Sequence, residues 1–173
     1  MVRVDPMRRF RKVLVAGTFD LFHAGHRSIL QRAFDCGDFV VVGVTSDRMM
    51  KAGFKGHKVE LYRVRLMNVK AFISERGLSD RSLIVRIDDV YGPAISDPDA
   101  EAIVVSPETA ARALEINDKR REAGLKPLEL IEQEFVMAAD GKPIASSRIR
   151  AGLIDREGRS RKAGRLESFS SRS

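Results

Sequence analysis

The stretch Gly17-Thr18-Phe19-Asp20-Leu21-Phe22-His23-Ala24-Gly25-His26 places two histidines three residues apart, directly after an apolar run. In the first turn of a helix, residues at that spacing share a face. Gly25 between them has no Cβ, so a flat ring or a phosphate can approach the backbone closely. Helix N-terminal amides attract anions, and imidazole N–H donors beside them make a neutral, adjustable site for phosphoryl oxygens. The same pair is also the start of a zinc site. The one cysteine, Cys36, and the one other histidine, His57, supply no visible third ligand, and no carboxylates cluster nearby. Neither Gly-x-Gly-x-x-Gly nor Gly-x-x-x-x-Gly-Lys-Ser/Thr is present.

A second group lies near the other end. Ser146 and Ser147 stand where a short final helix begins, a place where one serine serves as an N-cap. Followed by Arg148 and Arg150, they also make an anion site of amides, hydroxyls and guanidiniums. The two arginines cannot face the same way on a helix. Between these groups, Lys51, Lys55 and Lys58 lie in a loop-like stretch, and a lone loop lysine is ordinarily solvated. Cys36 follows an apolar helical face and reads as buried and inert.

These residues need a frame. Lys12–Gly17 is a short apolar run ending at glycine, as a buried strand would. Ile29, Leu30, Ala33 and Phe34 recur at helical spacing within 26–36, and Gly37 follows where a helix stops. Phe39–Thr45 is β-branched and reads as a second strand, 48–57 as a loop, and 61–75 as a helix. Strands at 83–87, 102–106 and 128–135 follow, with a helix over 108–123 and a last one near 146–152. Gly92, Pro93 and Pro98 make 88–99 irregular. Strands alternating with helices predict an α/β domain with a five-stranded parallel sheet and helices on both faces. Ligands of such sheets bind outside the C-terminal strand ends, where strand order reverses. The loops 17–26, 45–60, 88–99 and 106–109 are therefore where a site is expected.

The 173 residues fit one domain with tails: a basic extension over 1–11, the domain over 12–155, and a flexible tail over 156–173. The formal charge of +7 resides at the ends. Residues 13–154 carry equal numbers of basic and acidic side chains. Basic tails can touch nucleic acid, but solvated ends account for them without it. No run approaches the length of a spanning helix, and Met1–Pro6 lacks the apolar core of a secretory signal, which points to the cytoplasm.

The ten-residue string after the first strand resembles the signature of the HIGH-motif nucleotidyltransferases, a Rossmann-like class. The remainder resembles one branch, the archaeal and eukaryotic type of pantetheine-phosphate adenylyltransferase. The likeness is carried by Tyr91-Gly92-Pro93-Ala94, Ile103-Val104-Val105-Ser106-Pro107-Glu108-Thr109, Asn117-Asp118-Lys119-Arg120 and Gly124-Leu125-Lys126-Pro127-Leu128. It continues through Ile144-Ala145-Ser146-Ser147-Arg148-Ile149-Arg150 and on to Asp155. Cytidylyltransferases end instead in an Arg-Thr-x-Gly-Ile-Ser-Thr-Thr motif, which this chain lacks. Ala145 replaces the first serine of the family's Ile-Ser-Ser-Thr/Ser motif.

The resemblance implies transfer of the adenylyl group of ATP to 4′-phosphopantetheine, with Mg²⁺ entering on the ATP. It implies that His23 and His26 face the ATP phosphates, His26 donating to the α-phosphoryl oxygen. Gly17, Phe19 and Gly25 line the nucleotide, and the Thr18 hydroxyl touches a phosphate. Ser146, Ser147 and Arg148, with Arg150 behind them, meet the β- and γ-phosphates. One loop lysine, best Lys58 seven residues before Arg65, bridges the two phosphates, with Arg65 also a substrate contact, while Asp88, Asp89 and Tyr91 shape the pantetheine or adenine side. Asp20 organises the loop, since like charges repel. Asn117, Lys119 and Arg120 read either as a solvated helix face or as part of the family pattern.

Overall fold

The computed structural model describes residues 10–53 and 58–161. Its elements in chain order are β1 (Phe10–Gly17), α1 (Ala24–Cys36), β2 (Gly37–Thr45), α2 (Asp47–Gly53), α3 (Tyr62–Glu75), β3 (Ser82–Ile87), β4 (Ala102–Val105), α4 (Ala110–Glu122), β5 (Glu129–Glu132) and α5 (Ser146–Arg150). Single 3-10 turns occupy Ser79–Arg81 and Gly92–Ile95.

The strands form one parallel sheet in the order β3-β2-β1-β4-β5. From β1 the chain first winds outward through β2 to β3, then crosses back to β4 and β5. Strand order thus reverses between β1 and β4, and the crevice above that pair is the expected ligand position.

The alternation of side chains along the strands divides the core. On one face Val13, Val15, Val40, Val42, Val44, Ala102 and Val104 pack against Leu30, Ala33 and Phe34 of α1 and Val69, Phe72 and Ile73 of α3. On the other face Leu14, Val41, Ile103 and Val105 meet Ala113 and Ile116 of α4 and Ala94 of the 3-10 turn. Central strands buried on both faces have no polar side to show, which is why their sequences read as continuous apolar runs. Cys36 closes α1 as a buried residue, and burial pushes its thiol pKa up.

Four expectations need correction. The loop expected over 48–57 begins as helix: α2 spans Asp47–Gly53, with the Ser46 hydroxyl accepting from the Met49 N–H at 3.2 Å. β1 starts at Phe10, inside the supposed extension, because its register with β2 reaches Gly37. The fold also runs past 155. Ile154 is fully buried, and residues 156–161 return hydrogen bonds to the body. The extension before residue 10 and the tail after 161 lie outside the described residues.

The last correction concerns α4, whose Asn117 and Arg120 are buried rather than a solvated face. Asn117 exchanges two hydrogen bonds with the Leu128 backbone, which seats β5. Arg120 donates to the carbonyls of Ala94, Asp97 and Lys126.

Candidate active site

A cavity of about 660 Å³ opens at the C-terminal ends of the strands. Its walls come from Gly17–Phe19, His23, Gly25 and His26 after β1, and from Thr45 and Met49 after β2. Tyr91–Ala94 after β3, Ser106 and Arg112 after β4, Gln133–Val136 after β5 and Pro143–Ser146 complete it. The loop after β5 was absent from the sequence expectation, because nothing in Gln133–Val136 announces a function.

The two histidines start α1 together. His23 is its N-cap: its Nδ1 accepts the Gly25 N–H at 3.1 Å, while the His26 Nδ1 accepts the His23 N–H at 3.3 Å. This is a capping box built from imidazoles. The rings stack with centroids 3.7 Å apart at 20°. Phe19 meets the His26 ring edge-on, with centroids 5.4 Å apart, and Phe22 lies stacked on it at 5.7 Å. Gly25 suits this packing, since a Cβ there would lie 3.0 Å from the His23 ring and press it aside. The close approach is made first by His23 itself.

Hydrogen bonding to Nδ1 fixes the tautomer. Each neutral ring then carries its proton on Nε2, leaving one N–H donor free. Protonation is opposed on both. Burial, with the positive charge of Arg27 added, pushes the His23 pKa down to about 4. Burial, and then the neighbouring His23, pushes that of His26 to about 2. At neutral pH the site offers imidazole donors, not imidazolium charge. The amides expected to bind an anion are in part engaged: the Ala24 N–H donates to the Arg156 carbonyl at 2.9 Å and the Gly25 N–H to His23.

The loop joining β1 to α1 turns sharply, with Phe19 at φ 56° and Leu21 at φ 48°. Such backbone is costly for side-chain-bearing residues and persists only where neighbours enforce it. Asp20 is one enforcer. Its Oδ1 accepts the Glu60 N–H at 2.9 Å, its Oδ2 pairs with Arg150, and its carbonyl accepts the Ser146 hydroxyl at 2.7 Å. Glu60 returns the favour by accepting the Leu21 N–H at 3.0 Å. Glu60 had no sequence signal, because its partner lies far back in the chain.

Several expected phosphate contacts are occupied otherwise. Arg65 is fully buried. It donates to the carbonyls of Glu60, Thr18 and Thr45 at 2.7, 2.9 and 2.8 Å and pairs with Asp47 at 3.1 Å. It ties the ends of β1 and β2 together and is not placed to touch substrate. Arg148 donates to the Pro143 carbonyl at 2.8 Å and pairs with Asp140, so it belongs to that turn. Arg150 is held by Asp20. The N-cap of α5 is Ala145, so neither serine caps it. Ser146 lines the cavity with its hydroxyl on the Asp20 carbonyl, whereas Ser147 does not line it.

Lys58 and Lys51 are exposed and outside the cavity wall, and Lys55 and His57 lie outside the described residues. Asp88 sits beside the cavity, not in it. Its carboxyl is held below the usual range by a hydrogen bond from Ser46 and by Arg86 and Arg48. Tyr91 does line the cavity, with the Lys119 ammonium 4.9 Å from its ring centroid and Arg112 at 5.7 Å. The Thr18 hydroxyl lies at the wall, 3.6 Å from the Met50 sulfur. The cavity wall thus gathers Gly17, Thr18, Phe19, His23, Gly25, His26, Tyr91 and Ser146 of the expected residues, and Lys58, Arg65, Asp88, Ser147, Arg148 and Arg150 stand off it.

Comparison with known proteins extends over most of the chain. The model of the cytidylyltransferase-like family matches residues 14–152. A phosphopantetheine adenylyltransferase of Methanopyrus kandleri is 48% identical over 153 residues, 88% of this chain and 96% of that protein. One from Methanothermobacter thermautotrophicus is 44% identical over 148 residues, 86% of this chain and 88% of that one. Among solved structures, an Archaeoglobus fulgidus protein of unknown function superimposes with a TM-score of 0.63 at 36% identity, covering 70% of this chain and 88% of its own. A tyrosyl-tRNA synthetase of the same organism, at 14% identity and TM-score 0.58, shares the fold alone.

Proposed function

The chain belongs to the cytidylyltransferase-like family of nucleotidyltransferases, and on that premise we propose that it is a pantetheine-phosphate adenylyltransferase of coenzyme A biosynthesis. An oxygen of the 4′-phosphopantetheine phosphate attacks the α-phosphorus of ATP. The bond to the β-phosphate's bridging oxygen breaks, giving dephospho-CoA and pyrophosphate. Similarity to enzymes of that name along nearly their whole length supports the acceptor and the nucleotide.

The observation that carries the reading is the imidazole pair at the wall of a cavity above the reversal of strand order. Phosphoryl transfer asks mainly for positioning and for neutralisation of developing charge. Two Nε2–H groups fixed by backbone hydrogen bonds need no rearrangement when that charge appears, which is the condition for electrostatic catalysis. In this reading His26 donates to an α-phosphoryl oxygen and His23 to the neighbouring phosphate, while Thr18 adds a hydroxyl. Gly17, Phe19 and Gly25 shape the nucleotide's bed, and Tyr91 the acceptor side. Ser146 contributes through the Asp20 loop that it holds.

The donor set suits Mg²⁺ arriving with the triphosphate. Among the described residues no three His, Cys, Asp or Glu side chains are grouped for a metal, so phosphate oxygens and water would hold the ion. When bound, it offsets triphosphate charge. No described helix is long and apolar enough to cross a membrane; likeness to enzymes of a coenzyme-biosynthetic step is what supports placing this one in the cytoplasm.

The test is a grid of ATP and CTP against 4′-phosphopantetheine and glycerol 3-phosphate, followed by pyrophosphate release. Release with ATP and 4′-phosphopantetheine alone is expected. Release with CTP only would assign the chain to the cytidylyltransferases. No release, together with salt-sensitive nucleic-acid binding lost on removing 1–9 and 162–173, would make it a non-catalytic relative.

A further inference from the structure

Residues 152–161 do more than end the domain. Ile154 is buried with Ile144 and Ala138. Gly158, at φ +80°, lies so close to them that a Cβ would fall 2.6 Å from Ile144 Cδ1 and 3.0 Å from Ala138 Cα. Asp155 Oδ1 accepts the N–H groups of Glu157 and Arg159, each at 2.9 Å, and Ile154 bridges back to Ser160. The segment is a folded strap.

The strap reaches the histidine turn on both of its flanks. After His23, the Ala24 N–H donates to the Arg156 carbonyl at 2.9 Å, and Arg27 Nη2 meets both carboxylate oxygens of Glu157 at 2.6 Å. Before His23, Arg156 Nη2 lies 3.6 Å from Glu60, the residue that accepts the Leu21 N–H. The first turn of α1 is therefore held by a segment more than a hundred residues away in sequence.

We propose that this strap is a positioning element of the catalytic site: through the Glu157–Arg27 pair and the Arg156 carbonyl it sets the angle at which His23 and His26 face the cavity. The inference rests on the adenylyl-transfer reading above. An exposed ion pair adds little to stability, whereas a small displacement of a reacting group costs rate steeply. A positioning role and a merely structural one are separable on that difference.

The experiment uses the full chain with Glu157→Gln, Gly158→Ala, the charge exchange Arg27→Glu/Glu157→Arg, and Arg121→Gln as control. Arg121 pairs with Asp118 at 2.8 Å on the outside of α4. For each, kcat and KM are measured for ATP and 4′-phosphopantetheine, with thermal unfolding and the ¹⁵N signals of the histidine rings. Glu157→Gln and Gly158→Ala are expected to lower kcat about tenfold with the KM for 4′-phosphopantetheine unchanged. The melting temperature of Glu157→Gln should stay at wild type, the charge exchange should recover most of the loss, and Arg121→Gln should behave as wild type. Wild-type kcat in both single variants, or a loss that follows melting temperature without rescue, overturns the proposal. If the wild-type protein transfers no adenylyl group, the functional reading falls. The strap is then judged by the ring signals alone, and unchanged signals in both single variants overturn it.

Discussion

Acid should destabilise this protein well before its carboxylates are neutralised. Unfolded, each histidine has an ordinary pKa of 6.5; folded, His23 is held near 4 and His26 near 2. A histidine whose folded pKa is depressed contributes its full stability above the unfolded pKa, and that contribution is lost as pH falls toward the folded value. At pH 5 the folded rings remain neutral while the unfolded ones are almost fully protonated. The unfolded state therefore gains about 2 kcal/mol per ring, or about 4 kcal/mol for the pair. That is a large share of the 5–15 kcal/mol typical of a domain. Asp88, Asp140 and Asp155 have carboxyls held below their usual range, so what they contribute is lost only at lower pH than this. Urea unfolding at pH 7 and pH 5 should show a midpoint drop of about 2 M. His23→Asn, which keeps an N-cap acceptor, should remove about half of that dependence. A ring of His23 or His26 titrating near 6.5, or an unaltered dependence in His23→Asn, would refute the reasoning.

Two further outcomes follow from the same contacts. His26→Ala should lower kcat by about 10²–10³-fold, as removal of a fixed oxyanion donor does, while circular dichroism shows a folded chain; near-normal turnover would remove His26 from the chemistry. Arg65→Met should leave three backbone carbonyls without their donor and destabilise the protein by about 3 kcal/mol or more, read by urea unfolding. A loss confined to substrate KM, with stability intact, would return Arg65 to the role of substrate contact.

What could be read from sequence was what repeats along the chain. The sheet was legible because strands buried on both faces must be apolar throughout, as in Phe39–Val44, and glycines such as Gly37 mark the ends of their helices. The histidine pair was legible because its three-residue spacing on α1 is local. The arginines were misread because their partners are distant: Arg65 against Thr18 and Thr45, Arg148 against Pro143, Arg150 against Asp20. A guanidinium has five donors, and backbone carbonyls at strand ends satisfy them as well as phosphate does. Nothing in the spacing of a cation tells which acceptor it finds. The strap escaped for a related reason. Its composition is that of a tail, and its fold shows in contacts made across the chain, such as the fit of Gly158 under Ile144 and of the Arg156 carbonyl on the Ala24 N–H.

Arg65 on α3 and Arg120 on α4 are each wholly enclosed, the first gathering main-chain oxygens where β1 and β2 end and the second gathering them ahead of β4 and β5. A guanidinium keeps its proton across any pH at which proteins work. The scaffold is thus pinned by groups indifferent to acid, and α1 is started by groups sensitive to it. On acidification the first turn of α1 should let go first, ahead of the core that the two guanidiniums hold.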